Sequence, residues 1–486
     1  MTLKKTALAM AFGSLFALGS NSSFAADQAL LDTLLSNGTI TATQHAQLIQ
    51  QATEAPATVD QGLLDVLLQN GAINQTQFSN LETQQAQQVQ QPIIVAAPEP
   101  SGDDVVVKLD SKGFRVETAD EAFKMKIGGR MHLDANFSAN GNDFDPNPNE
   151  GVEVRRARLH VKGVVWDDFQ YAAQFDFAGN KIEVKDLFVS YRGFDWFNIT
   201  VGQQKQAMSM EILESSNDMM FTERSLLSAM TVPLFDRAVG INFNSGGQNW
   251  SAQFGAYGEY ISNIKNEGWG VSSRVTFAPI MSKTHVLHLG GYAGYRGMSD
   301  ANRDLTFKYE STHQSSVYFT KAAMANVSGT TMAGLDAAYM VGPFSIQGEY
   351  AHSWTAREDG LRGLDFGGYY VQMAWTLTGE SRTYRGSQGK FKRLKAASPF
   401  SWDKGQWGAW ELATRVDGVD LNSGDIVGGE ETAFTLALNW YLNNNIRVMA
   451  DYRYAFDVDD SAVLYTDGRD VNHGIHGFTL RTQLTF

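Results

Sequence analysis

The sequence predicts an all-β transmembrane barrel of about 16 antiparallel strands with a small N-terminal α-helical periplasmic extension. Three observations carry that expectation. From residue 105 onward, apolar and polar residues alternate with a period of two over segments longer than most soluble strands. These segments keep their basic residues on one face. The chain ends on Phe486, the last apolar position of such a segment.

Composition excludes several classes. Of 486 residues, 43% are hydrophobic and 12% aromatic, too much buryable surface for a disordered chain. Beyond about the first 25 residues, no apolar run approaches the roughly 18 to 20 that a spanning helix needs. With no cysteine there are no disulfides, thiolate metal sites or thiol catalysis. A formal charge of 39 − 53 = −14 argues against nucleic acid as a partner.

Residues 1–25 read as a signal peptide. Lys4 and Lys5 form the charged start, residues 6–19 the apolar stretch, and Ser23 and Ala25 the small cleavage-site residues. Residues 26–91 are expected to form a periplasmic helical repeat module, because segment 30–52 recurs as 63–85, an offset of 63 − 30 = 33. In each copy Asn-Gly (Asn37-Gly38, Asn70-Gly71) stops one helix, and Thr41 or Asn74 can cap the next. The apolar stripe either packs the two hairpins on each other or assembles copies of the chain. Residues 92–104, with Pro92, Pro98, Pro100 and Gly102, form a linker, and 105–486 the barrel.

Within the barrel, Phe123, Met125, Ile127, Gly129, Met131, Leu133, Ala135 and Phe137 alternate with Lys124, Lys126, Gly128, Arg130, His132, Asp134 and Asn136. The pattern recurs around Leu159, Phe175, Val201, Phe254, Ile346, Met373, Leu436, Val448 and Leu480. Energy decides which face meets lipid. Were the apolar set inside, Arg156, Arg158 and Lys162 would face hydrocarbon at roughly 2 to 4 kcal/mol each near the midplane. The apolar set therefore faces lipid, with Tyr191, Trp250, Tyr257, Trp375, Trp440 and Tyr454 assigned to interfacial girdles.

The other face then lines a pore. Arg156, Arg158, His160 and Lys162 share a face at spacings of two, and Lys124, Lys126 and Arg130 point the same way on the preceding strand. Arg192, Arg274, Arg415, Arg447, Arg453 and Arg481 have the same parity, against scattered acids Asp134, Asp176, Asp336, Glu349, Glu411 and Asp451. The excess acid is assigned to loops near 142–150, 417–431 and 457–470. A basic stripe in a pore no wider than the roughly 8 Å screening length favours small anions. Arginine forks suit phosphate and carboxylate. A wall of salt bridges is the competing structural reading for each arginine.

Two long connections could narrow the lumen. Segment 203–235 carries Lys205, Glu211, Glu214, Glu223 and Arg224 among Met208, Met210, Ile212, Met219 and Phe221, too apolar for a solvated loop, so it is expected to fold inward. Segment 379–399 carries Arg382, Arg385, Lys390, Lys392, Arg393 and Lys395, either a second anion-collecting loop or a solvated face. No catalytic motif or metal-ligand spacing is present, so neither an enzyme, a cofactor nor a metal is expected. The oxygen-rich stretch 143–150 has two prolines and lacks the turn glycine of a calcium loop.

At these residues the sequence resembles the phosphate-selective porin O/P family of Gram-negative outer membranes. The matching blocks are 123–130, 155–159, 221–224, 368–380, 408–412 and 438–441, in order along the barrel. The resemblance implies a sixteen-stranded homotrimeric barrel with an arginine ladder, a constriction of inward loops and uptake of phosphate or related anions. It matches Arg130, Arg155 and Arg156 to ladder arginines and Glu211 to an acid of the constriction loop. Two positions depart: Ile212 stands where the family has a lysine, and Gln203 where it has an arginine. Strand parity also places Arg155 off the lumen unless a bulge intervenes.

The expected function is passive diffusion of small anions across the outer membrane. The anion pathway runs by Lys124, Lys126, Arg130, Arg155, Arg156, Arg158 and Lys162, past a constriction loop bearing Lys205, Glu211 and Arg224. Two alternatives are a general or organic-anion porin without phosphate selectivity, and a structural anchor touching the cell wall through residues 26–91.

Overall fold

A computed structural model describes residues 105–486 except 111–112, 262–267 and 311–316, and, before these, residues 35–36, 42, 68 and 74–80. The chain divides into two units, Met1–Glu99 and Pro100–Phe486. In the first, residues 75–80 are helical. Asn74 Oδ1 accepts from the Gln77 amide at 2.9 Å while Gln77 Oε1 accepts from the Asn74 amide at 3.0 Å, a reciprocal cap of the kind the sequence assigns to Asn74. The signal peptide, most of the repeat module and the linker lie outside the described residues.

In the second unit, β1 (Val105–Asp110) and β2 (Gly113–Thr118) form a hairpin whose second strand pairs with the start of β3 (Lys124–Ser138). The main sheet has 18 strands; without this hairpin, 18 − 2 = 16 form the barrel. They continue as β4 (Gly151–Val165), β5 (Phe169–Asp176), β6 (Glu183–Tyr191), β7 (Asn198–Lys205), β8 (Arg237–Gly246), β9 (Trp250–Tyr257) and β10 (Trp269–Met281). After them come β11 (His285–Gly297), β12 (Val327–Val341), β13 (Phe344–Arg357), β14 (Leu364–Thr376), β15 (Ala409–Ser423), β16 (Ile426–Tyr441), β17 (Ile446–Asp459) and β18 (Ile475–Thr485). Each pairs antiparallel with the next, and β18 pairs with β3 from Gly477–Ser138 to Thr485–Arg130. Closure leaves no strand edge for hydrocarbon to meet.

The chain enters and leaves the barrel at one end. Most connections there are short, such as 166–168, 247–249 and 342–343, which marks that end as periplasmic; the exception is 377–408. The opposite end carries 206–236 and 298–326. The wall is uneven. β5 to β9 have 8, 9, 8, 10 and 8 residues, whereas β10 to β17 have between 13 and 16.

The two faces differ as the alternation requires. Along β14, Asp365, Tyr369, Val371, Met373 and Trp375 are exposed toward the outside while Tyr370 and Gln372 are buried inside. Two sequence assignments change. Tyr257 points inward, where its hydroxyl accepts from the Ala207 amide at 3.4 Å, because its parity on β9 is opposite to that of Trp250 and Phe254. Residues 417–431 are no loop: β15 and β16 run on together, and only 424–425 turn.

A bulge settles the parity of Arg155. His132 pairs with Arg156 but Leu133 pairs with Val154, so Arg155 is the extra residue of β4, and both arginines face the lumen. Val154 and Leu159 are five positions apart yet both are 47% exposed on the outer face. Spin labels at 154 and 159 are therefore both expected to show oxygen-rich, hydrocarbon collisional accessibility, and labels at 158 and 162 aqueous accessibility; opposite environments at 154 and 159 would remove the bulge.

Candidate functional site

Segment 206–236 lies inside the barrel because its apolar residues find partners there. α1 (Met210–Leu213) is followed by α2 (Ser228–Phe235). Leu227, Met230, Leu234 and Phe235 join one cluster with Met332, Ala351, Phe366 and Tyr370 of the wall and with Phe307 and Phe319 of connection 298–326. Met220 and Phe221 pack on Ala374, Ala413 and Ala437. Each side chain so buried contributes roughly 1.5 to 3 kcal/mol.

Wall arginines fasten the segment. Arg481 holds both oxygens of Asp134 at 2.7 and 2.6 Å, donates to the Thr222 carbonyl and reaches Glu223 at 3.0 Å. Arg447 donates to the Met219 carbonyl at 2.8 Å and Arg415 to that of Glu223 at 3.1 Å. Asp451 accepts from the Thr222 amide at 2.7 Å, and Asp417 from that of Leu226 at 2.7 Å. Arg274 pairs with Asp336 at 2.8 Å and Arg453 with Glu431 at 2.6 Å. All five of these arginines of lumen parity are buried clamps; four of them pair with carboxylates, as the salt-bridge reading has it, while Arg447 bonds only neutral oxygens, of Met219, Tyr441 and Gln483. Arg192 stands outside the strands, in the turn after β6.

The ladder residues separate by the charge of their partners. Arg155 holds Glu223 through two bonds, at 2.8 and 3.1 Å, and Arg156 lies 3.9 Å from the same carboxylate. Arg158 pairs with Asp176 at 2.6 Å, and Lys124 with Glu121 at the periplasmic rim. A carboxylate partner cancels most of a cation's distant field. Arg130 differs: its guanidinium donates to Ser216 at 2.9 Å and Ser215 at 3.2 Å, hydroxyls that carry no charge. Lys162 is exposed to the lumen, with Lys126, Lys392, Arg130 and Arg385 as its charged neighbours.

The same distinction governs the inward segment. Lys205 donates to the carbonyls of Ile212 and, at 2.9 Å, Glu214; Arg224 donates to those of Glu211 and Glu214, each at 3.2 Å. These are the free carbonyls that end α1, and cations suit them. Carbonyl dipoles leave the net positive charge in place. Glu211 folds the loop on itself, accepting from the Ser225 amide and hydroxyl, both at 2.8 Å. Burial alone would raise Glu223, but Arg155, Arg156 and Arg481 hold its carboxyl well below the usual range. Ile212 is buried, and Gln203 is fully buried in the wall, donating to the Val184 carbonyl at 2.6 Å, so neither presents a group to the lumen.

Sequence reasoning left open a second inward element. From the periplasmic end, segment 377–408 enters the barrel: Phe391 packs with Val286, Ala338 and Met340, and Tyr384 bonds His288 at 2.6 Å. It meets the first segment through Arg382–Glu214 and Lys392–Asp218, both at 3.0 Å. Its basic run was the legible signal; its acidic partners, some 170 positions earlier, were not.

Replacing Glu223 with Gln leaves Arg155, Arg156 and Arg481 facing one another. Glu223→Gln is expected to weaken the anchorage of segment 206–236 by about 3 to 5 kcal/mol, the scale for breaking one side of a buried pair. Limited proteolysis within 206–236 and open-channel current noise should both rise; no change in either would show that this clamp does not hold the segment.

The family model described as phosphate-selective porin O and P matches residues 125–486. Porin O of Pseudomonas aeruginosa is 26% identical over 393 residues, covering 72% of this chain and 87% of that protein. An uncharacterized protein of Caulobacter vibrioides is 28% identical over 386 residues, covering 76% of this chain and 75% of its own length. Among solved structures, an anion-selective porin from Comamonas acidovorans shares the fold, with a TM-score of 0.51 at 12% identity over 75% of this chain and 100% of that one. The chain belongs to the phosphate-selective porin O and P family, barrels of the Gram-negative outer membrane.

Proposed function

We propose that this protein passes small anions, phosphate-like oxyanions among them, by diffusion across the outer membrane. The observation that carries the reading is a set of lumen cations whose partners are neutral oxygens: Arg130 on two serine hydroxyls, and Lys205 and Arg224 on the carbonyls of α1. Two unit charges 4 Å apart interact by about 1 kcal/mol in bulk water and about 4 at an effective dielectric of 20. A permeant anion passing these groups therefore gains enough to be favoured over a cation and still leave. The family's description as phosphate-selective and the anion-selective porin among the structures support the same chemistry.

Ile212 and Gln203, both turned away from the lumen, favour as second reading an anion pore without phosphate selectivity. Titrating phosphate against chloride current separates the two: saturable block supports phosphate capture, and its absence supports the permissive pore. In planar bilayers under a salt gradient the reversal potential is expected to show anion preference. Arg130→Gln or Lys205→Gln should reduce that preference by about tenfold or less, and Arg158→Gln, whose charge Asp176 already meets, by a smaller factor. Cation preference in the unmodified protein would end the reading.

The oligomer we infer is a homotrimer, joined through the low wall. A strand of 8 residues tilted about 45° rises roughly 19 Å, short of the apolar band of about 25 Å. β5 to β9 thus suit a protein neighbour better than lipid, while the tall wall meets lipid. Residues 26–91, outside the family match, are read as the periplasmic module, with cell-wall contact as their proposed second role. The chain contains no cysteine, so single introduced cysteines report contacts directly. Val201→Cys, on β7, is expected to cross-link subunits on oxidation and Val371→Cys, on β14, to stay uncross-linked; the reverse result would move the interface.

A further inference from the structure

We propose that Lys390, carried into the lumen by the periplasmic segment 377–408, is a specificity-determining residue of the constriction, with Arg382 and Lys392 as its positioning residues. This rests on the anion-pore reading above and assigns part of its selectivity to a second chain segment entering from the other side of the membrane.

The geometry is that of one short helix end approached from two sides. α1 ends with three carbonyls in a row, at Ile212, Leu213 and Glu214. From β7, Lys205 takes the first and third; from the periplasmic segment, Lys390 Nζ donates to the middle one at 3.0 Å. The side chain of Ile212 is apolar and buried, and the loop's own cation, Arg224, reaches the carbonyls of Glu211 and Glu214 while that of Leu213 is left to Lys390. A carbonyl does not cancel the charge of Lys390. Two ion pairs hold it in register: Arg382 with Glu214, whose side chains are 3% and 4% exposed, and Lys392 with Asp218, which also accepts from the Arg393 amide at 3.4 Å. On the wall side, Arg274 donates to the Gly389 carbonyl at 3.1 Å, fixing the backbone one residue before Lys390. The segment is therefore braced against both the wall and the first loop.

The charged groups around Lys390 are Lys392 of its own segment, Asp218 and Glu214 of the first inward segment, Arg274 of the wall, and Lys205 of β7. Burial, with the nearby Lys392 charge, pushes the Lys390 ammonium down to about 8. Its charge is present below that pH and lost above it. The contribution to anion preference should therefore fall as pH rises through about 8, within a range where arginine stays charged.

Reversal potentials of the full-length protein across a salt gradient, between pH 6 and pH 10, test this. The unmodified protein is expected to lose part of its anion preference, several-fold, around pH 8. Lys390→Gln should show the lowered preference already at pH 6 and a smaller loss around pH 8 than the unmodified protein, and Lys390→Arg should keep more of the high preference through pH 9. Arg382→Gln, which loosens positioning without touching Lys390, should add open-channel noise and blur the step. An anion-selective channel whose preference and pH profile are the same in Lys390→Gln as in the unmodified protein overturns the role of Lys390 alone. A cation-selective unmodified channel overturns the anion-pore reading with it. Normal heat-modifiable folding of each variant confirms that the comparison is between intact barrels.

Discussion

Hydrocarbon tolerates neither an unpaired backbone amide nor an unpaired charge, and that single constraint orders the molecule from the strands inward. Sixteen strands close because any free edge would lie in lipid. Once closed, alternate residues live in different solvents, so a charged group near the middle of a strand is committed to the lumen, while one at a strand end, such as Asp365, can face outward. The lumen then holds more charge than a pathway needs, and most of it must be matched.

The inward segments do that matching. A chain with a net charge of −14 builds a basic lumen by placing part of its acid beside the wall arginines and using the resulting pairs as fastenings. Asp134, Asp336, Glu431 and Glu223 each neutralise an arginine while tying strand to strand or strand to loop. What remains uncancelled is a smaller set, bonded to hydroxyls and carbonyls. Counting basic residues in the lumen would overstate the field of the pore; sorting them by partner charge gives the part that an ion can feel.

The strands were legible because alternation is a local property: the fifteen positions 123–137 read as one strand, and Lys124–Ser138 forms one. Polarity alone decided which face meets lipid. The bulge at Arg155 was not legible, because an extra residue shows itself only through register with His132 and Leu133 on the neighbouring strand. Tyr257 went wrong at a strand end, where aromatic character suggested a girdle but parity decided the side. The fate of the arginines lay further out of reach. Arg481 meets Asp134 across 347 positions and Glu223 across 258, and nothing local distinguishes it from Arg130, whose partners are serines.

The apolar content of segment 206–236 showed that it folds inward, and the same logic explains why it can be rigid while lining a wet channel. Its methionines, leucines and phenylalanines face the tall wall, where β12 to β15 are long enough to bury them, and its polar edge is left toward β3 to β8. The uneven height of the barrel and the one-sided seating of the loop are thus one arrangement. The tall side supplies a hydrophobic seat for the loop, and the loop's polar edge faces Arg130 of β3 and Lys205 of β7 in the low wall. A loop seated on one side needs cations only at its free edge, which is where α1 ends and where its bare carbonyls already attract them.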